Sequence, residues 1–168
     1  MRRSILLLAA LAALAATPSS AAGFTAHDLT GFVQSVKGAL GSGYEHRVEA
    51  GRMTLICTTC PGSPMIDVLL GRQTDGTEER LRSGQTSIGH MERLCQQKSP
   101  ACRLSALEVA PAVGWITSWP LGSTAGSTAV ILRGGDMLTV RSLASDARTA
   151  RSNADKIVAA LTPTLVGK

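Results

Sequence analysis

The sequence predicts an α+β fold: an antiparallel β-sheet of about five to seven strands flanked by N-terminal, middle and C-terminal amphipathic helices. Three observations point there. Short runs with period-two alternation or a continuous apolar centre recur between residues 44 and 73 and between 104 and 143. Asp75-Gly76 and Gly134-Gly135 have the composition of tight hairpin turns. Stretches with the 3.6-residue apolar period stand at the start, middle and end of the chain. Of the 168 residues, 44% are hydrophobic, enough for a packed core and too many for disorder.

Residues 1–22 read as a cleaved secretory signal peptide. Arg2 and Arg3 open it, Ile5 to Ala16 form its apolar core, and Ser20-Ala21-Ala22 offers small residues at the cleavage spacing. The apolar run is shorter than the roughly 20 residues that cross a bilayer, so no transmembrane segment is expected. No Cys stands near the cut, so no lipid anchor is expected either. The remainder, 23–168, reads as one disulfide-stapled domain, periplasmic or secreted.

The elements follow in order. Thr25 to Leu40 predicts a helix with Leu29, Phe32, Val33, Val36 and Leu40 in one stripe. Thr25 and Asp28 stand at capping-box spacing, and Gly41 and Gly43 end the helix. Tyr44 to Ala50 alternates, with Tyr44, His46, Val48 and Ala50 on one face and Glu45, Arg47 and Glu49 on the other. Strands are expected at Met53 to Cys57 and Ile66 to Gln73, separated by the Pro61-Gly62-Ser63-Pro64 loop. Glu78 to Arg82 fits a return strand better than a helix, because Ser83-Gly84-Gln85 breaks any long helix. Ser87 to Gln97 predicts a helix burying Ile88, Met91, Leu94 and Cys95. Strands are expected at Leu104 to Val109, Val113 to Trp119, Thr128 to Arg133 and Met137 to Leu143. Ser145 is placed as the cap of a final helix whose apolar face holds Ala147, Ala150, Ala154, Ile157, Val158 and Leu161. The tail from Thr162 to Lys168, with Pro163 and Gly167, is expected to fray.

This order of strands, a strong hairpin and a terminal amphipathic helix resembles the small exported domains of the PsbP/Mog1/DcrB kind. The resemblance covers roughly the last 65 residues, rests on element order, and implies a fold without carrying over any site residue.

Cys57, Cys60, Cys95 and Cys102 make an even set in a chain expected to fold in an oxidising compartment, so two disulfides are expected. Cys57–Cys60 with Cys95–Cys102 is the favoured pairing among three. The second bridge is expected to add about 2–3 kcal/mol. The alternative role for Cys57-Thr58-Thr59-Cys60 is thiol–disulfide chemistry. A redox CxxC needs its first thiolate at a helix N-terminus, and Pro61-Gly62-Ser63-Pro64 does not continue as one. A zinc site would have to join Cys57 and Cys60 to a Cys-x6-Cys half-site with His90 to spare, which is not a knuckle spacing. No His follows Cys60, so covalent haem attachment is excluded.

The other candidates are weaker. His27, His46 and His90 stand apart, and His90 beside Met91, with Met53 and Met65, makes no cluster by spacing. No Gly-x-Ser-x-Gly elbow is present, and the Gly122–Thr128 stretch lacks the Lys of a phosphate loop and reads as a flexible loop. Trp115 and Trp119 point the same way on one strand and form either core or the floor of a ligand groove. Arg133, Arg141, Arg148 and Arg151 are the partner-binding candidates, able to dock an acidic partner. The net charge of +5 falls when Arg2 and Arg3 leave: 15 of the 17 basic residues then face 12 acidic ones, or +3. With five aromatic residues in all, this does not suit nucleic acid. The sequence therefore favours an exported, non-enzymatic binding or accessory protein of the cell envelope, without cofactor or metal. The alternatives are a thiol–disulfide oxidoreductase using Cys57 and Cys60, and a small-molecule or metal carrier.

Overall fold

A computed structural model describes residues 22–167; the leader read at Arg2 to Ala21, and Lys168, lie outside the described residues. Seven strands form one antiparallel sheet in the order β1-β2-β3-β7-β6-β5-β4. They are β1 (Glu45–Glu49), β2 (Arg52–Ile56), β3 (Met65–Arg72), β4 (Arg103–Ala106), β5 (Val113–Leu121), β6 (Thr124–Arg133) and β7 (Asp136–Ala144). The helices are α1 (Val33–Leu40), α2 (Thr77–Arg82), α3 (Ile88–Lys98) and α4 (Ala147–Leu161). Two meanders, β1 to β3 and β4 to β7, meet where β3 pairs with β7. The crossover through α2 and α3 carries the chain from the sheet's middle to its β4 edge.

Alternation gives the sheet two faces. The first presents Met53, Leu55, Ile66, Val68, Ile116, Ala129, Ile131, Leu138 and Val140, all fully buried. Against it α4 packs Ala154, Ile157, Val158 and Leu161, and α1 packs Val33 and Val36. The stripe at i, i+3, i+4 read in α4 is the stripe it buries, except that Ala147 is exposed.

The structure corrects several expectations. The first helix does not start at Thr25. The Thr25 and Ala26 N–H groups donate to Leu165 O, 2.9 and 3.2 Å away, which holds the chain extended. A 3-10 turn at Thr30–Phe32 then leads into α1, and Asp28 Oδ1 accepts the Thr30 N–H at 2.8 Å. Glu78 to Arg82 is helical: Asp75 Oδ1 accepts the Thr77 N–H, and the Glu78 carboxylate accepts the N–H groups of Gly134 and Gly135 at 3.1 and 3.0 Å. Those two amides crown the β6–β7 turn, so a distant partner decided between strand and helix. Helix α3 forms where expected, but buries no residue, and Leu94 is 49% exposed. Ser145 is not the cap of α4; Asp146 Oδ1 accepts the Thr149 N–H at 2.9 Å. Residues 124–128 belong to β6, leaving only Gly122 and Ser123 as the turn. Within the described residues the tail does not fray: Thr162–Val166 continues α4 as a π-turn with Leu165 and Val166 fully buried.

Cys57 pairs with Cys60 and Cys95 with Cys102, the favoured connectivity. The first bridge closes the β2–β3 connection and places the Cys57 sulfur within the main core. The second ties the end of α3 to the start of β4.

Candidate functional site: the uncovered sheet face

The second face of the sheet is covered unevenly. Helices α2 and α3 lie against β5 and β4, where Trp115 and Leu132 are buried. With α1 and α4 on the first face, no helix among the described residues remains for the second face over β1, β2, β3 and β7. An antiparallel sheet tolerates one wet face, whose side chains are then normally polar.

Here they are not all polar. The pairing register sets Ile56, Met65, Leu143, Gly126 and Trp119 directly across from one another on β2, β3, β7, β6 and β5. Leu121, two residues beyond Trp119, extends the row and is 52% exposed; Ile56 is 38% exposed. The row spans four strand spacings, about 19 Å. Its member without a side chain has a reason to lack one. A Cβ on Gly126 would stand 2.5 Å from Trp119 Cζ2 and 2.6 Å from Cε2, so the indole lies flat on the β6 backbone and Gly126 makes room for it.

One step along the strands runs a polar row: Arg47, Thr54, Asp67, Arg141, Thr128 and Thr117. Asp67 is nearly buried and its Oδ1 accepts from Arg52 Nη2 at 2.9 Å and Thr54 Oγ1 at 2.7 Å. Burial pushes its carboxyl up, but those two hydrogen bonds and the charges of Arg52 and Arg141 outweigh burial and hold it below the usual carboxylate range. Asp67 is thus engaged by Arg52 and faces Arg141, which stands exposed at the middle of the face. At the β1 edge Arg47 bridges Glu49 at 3.0 Å, and Arg47, Glu49, Arg52, Thr54 and Ile56 line a shallow groove. Glu45 and Glu49, which share this face with Arg47, are both exposed.

The sequence-predicted residues scatter accordingly. Trp115 and Trp119 share the second face; Trp115 is buried under the crossover side and Trp119 remains half-buried on the open part. The four arginines do not cluster. Arg141 joins Trp119 on the uncovered face. Arg133 Nη1 donates to Val166 O at 2.8 Å, Arg151 bonds Asp155 and Ser105 Oγ, and Arg148 is exposed on α4, across the molecule. The sequence alone did not place Met65, Ile56, Leu143 and Gly126 in one row. Extending the strands by one residue at Met65 and by four at Thr124 would have aligned them.

His46 and His90 are exposed, and His27 Nε2 lies 2.8 Å from Asp136 Oδ2. Among the described residues no group of three or more His, Cys, Asp or Glu converges in a metal-binding arrangement. Cys57 and Cys60 sit at a turn leading into β3, so no helix begins at Cys57. A second recess of about 260 Å³, lined by Leu81, Ile88, Glu108, Val109, Ala112 and Val113, is mainly apolar.

No protein-family model matches the chain, and no curated protein sequence matches it.

Proposed function

We propose that the chain is an exported, disulfide-stapled binding protein without catalytic activity of its own, which recognises another component of the cell envelope through its uncovered sheet face. The apolar row Ile56–Met65–Leu143–Gly126–Trp119 carries this reading. It is continuous across five strands and partly open to solvent, with Ile56 exposed and Met65, Leu143 and Trp119 half-buried, and the exposed cation Arg141 stands beside it. A partner that presents an apolar ridge about 19 Å long with a carboxylate alongside complements both features. Export is supported by the leader-like residues 1–22 and by two disulfides, which persist in oxidising compartments. Among the described residues no helix is long and apolar enough to cross a membrane.

The test is site-specific photo-crosslinking in living cells that export the full chain. A photoreactive residue at Leu143 is expected to yield a discrete adduct, and one at Lys156, on the exposed side of α4, is not. Equal adducts from both positions, or none from Leu143, would refute the reading.

A further inference from the structure

The burial of the chain changes within three residues: Ala22 is exposed, Gly23 is half-buried and Phe24 is 6% exposed. This is where the sequence places the cut. Phe24 N–H donates to Asp136 Oδ2 at 2.8 Å, and a Cβ on Gly23 would collide with the same oxygen. Gly23 therefore lies with its Cα against a carboxylate, where glycine alone fits. Asp136 is 3% exposed and stands at the start of β7, with His27 Nε2 on Oδ2 and Arg72 Nη1 on Oδ1, both at 2.8 Å.

We infer that the Ala22–Gly23 bond is a processing site, and that Asp136 is the seat for the amino terminus released there. The inference rests on the reading of residues 1–22 as a leader. Hydrolysis by a signal peptidase breaks the Ala22 C–N bond. The water's hydroxyl goes to the Ala22 carbonyl carbon and its hydrogen to the Gly23 nitrogen. At neutral pH the new carboxyl gives up its proton and the new amine takes one up. The resulting ammonium is one bond from the Cα that touches Asp136 Oδ2, so the cut replaces a neutral amide by a cation beside a buried anion. The other titratable or charged groups facing this corner are His27 from the N-terminal segment, Arg72 from β3, Arg133 from β6 and Glu78 from α2 across the Gly134-Gly135 turn. The carboxylate that closes the N-terminal segment onto β7 thus gains its last partner only in the processed chain. Thr25 and Ala26, bonded to Leu165, carry that closure to the C-terminal turn.

The experiment uses the full chain, exported and purified. Its intact mass gives the first residue. The rate of α-amine labelling by an amine-reactive reagent is then followed against pH, native and in urea. The expected result is a chain beginning at Gly23 whose native labelling midpoint lies above that of the unfolded chain. At neutral pH this is about tenfold slower labelling for each pK unit. Asp136→Asn is expected to return the midpoint to the unfolded value. A chain beginning elsewhere overturns the cut, and the leader reading with it. A chain beginning at Gly23 with coincident native and unfolded midpoints overturns the Asp136 seat and leaves the leader reading standing. Simple steric protection lowers the plateau without moving the midpoint and overturns the seat as well, so the wild-type comparison decides even where Asp136→Asn does not fold.

Discussion

Gly126→Ala is expected to lift the Trp119 indole off β6. Nothing else in the substitution is unfavourable: Gly126 has ordinary strand dihedrals, and alanine loses less chain entropy on folding than glycine, a gain of roughly 0.5–1 kcal/mol. The new methyl carbon, however, falls on the ring atoms Cζ2 and Cε2 at 2.5 and 2.6 Å, well inside van der Waals contact, and the backbone of β6 is held by ladders on both sides. The ring must move. A tryptophan buries 150–250 Å² when packed, so releasing one flat side returns about 100 Å² to water. At 25 cal/mol/Å² that costs about 2.5 kcal/mol. Against the entropy gain, the net loss is about 1.5–2 kcal/mol, or a melting temperature lower by about 3–8 °C. Tryptophan emission should shift to the red in the native state while buried Trp115 keeps its contribution. Unchanged emission together with unchanged or higher stability would show that Gly126 does not hold the indole down, and the apolar row would lose its anchor.

Other consequences follow from single sites. Ser142→Ala removes a buried hydroxyl that has no hydrogen-bond partner among the described residues, and should raise stability by about 1 kcal/mol in urea unfolding; a loss of that size would mean the hydroxyl is satisfied. The double substitution Cys95→Ser and Cys102→Ser opens a short loop and should cost about 2.5 kcal/mol, read as a lower urea midpoint, and an unmoved midpoint contradicts it. Acid should destabilise the fold through Asp67, Glu78 and Asp136. Burial pushes each of these carboxyls up, but their hydrogen bonds and neighbouring cations outweigh it and hold each below its ordinary value. Their contribution is therefore complete above the unfolded carboxylate pKa near 4 and is lost as pH falls through the lowered native values. A flat stability profile from pH 6 to pH 2 would contradict this.

The parts of the fold legible in the sequence are those where local period and burial agree. The α4 stripe, the Gly134-Gly135 turn and the disulfide pairing were all readable because each rests on short-range spacing. The misreadings share one cause, a distant partner. Glu78 reaches the amides of Gly134 and Gly135, more than fifty residues on, and makes a helix of a segment that local rules gave to a strand. Leu165 holds Thr25 and Ala26 extended and delays the first helix. The same limit applies to the site. Trp119 was visible as a residue, but its row depends on the registers of four strand pairs, which no single segment encodes. Arg141 was one of four arginine candidates, and sequence position hides which face of the molecule each one takes.

The uncovered face can be tested directly by hydroxyl-radical footprinting of the same protein in two settings, purified and within the intact envelope of cells exporting it. Purified, Trp119, Met65, Leu143 and Ile56 should be modified readily, and Met53 and Ile131 on the packed face should not. In the envelope the first four should become protected while exposed residues of α4 stay reactive. Equal modification of the Ile56–Trp119 row in both settings would show that nothing docks there.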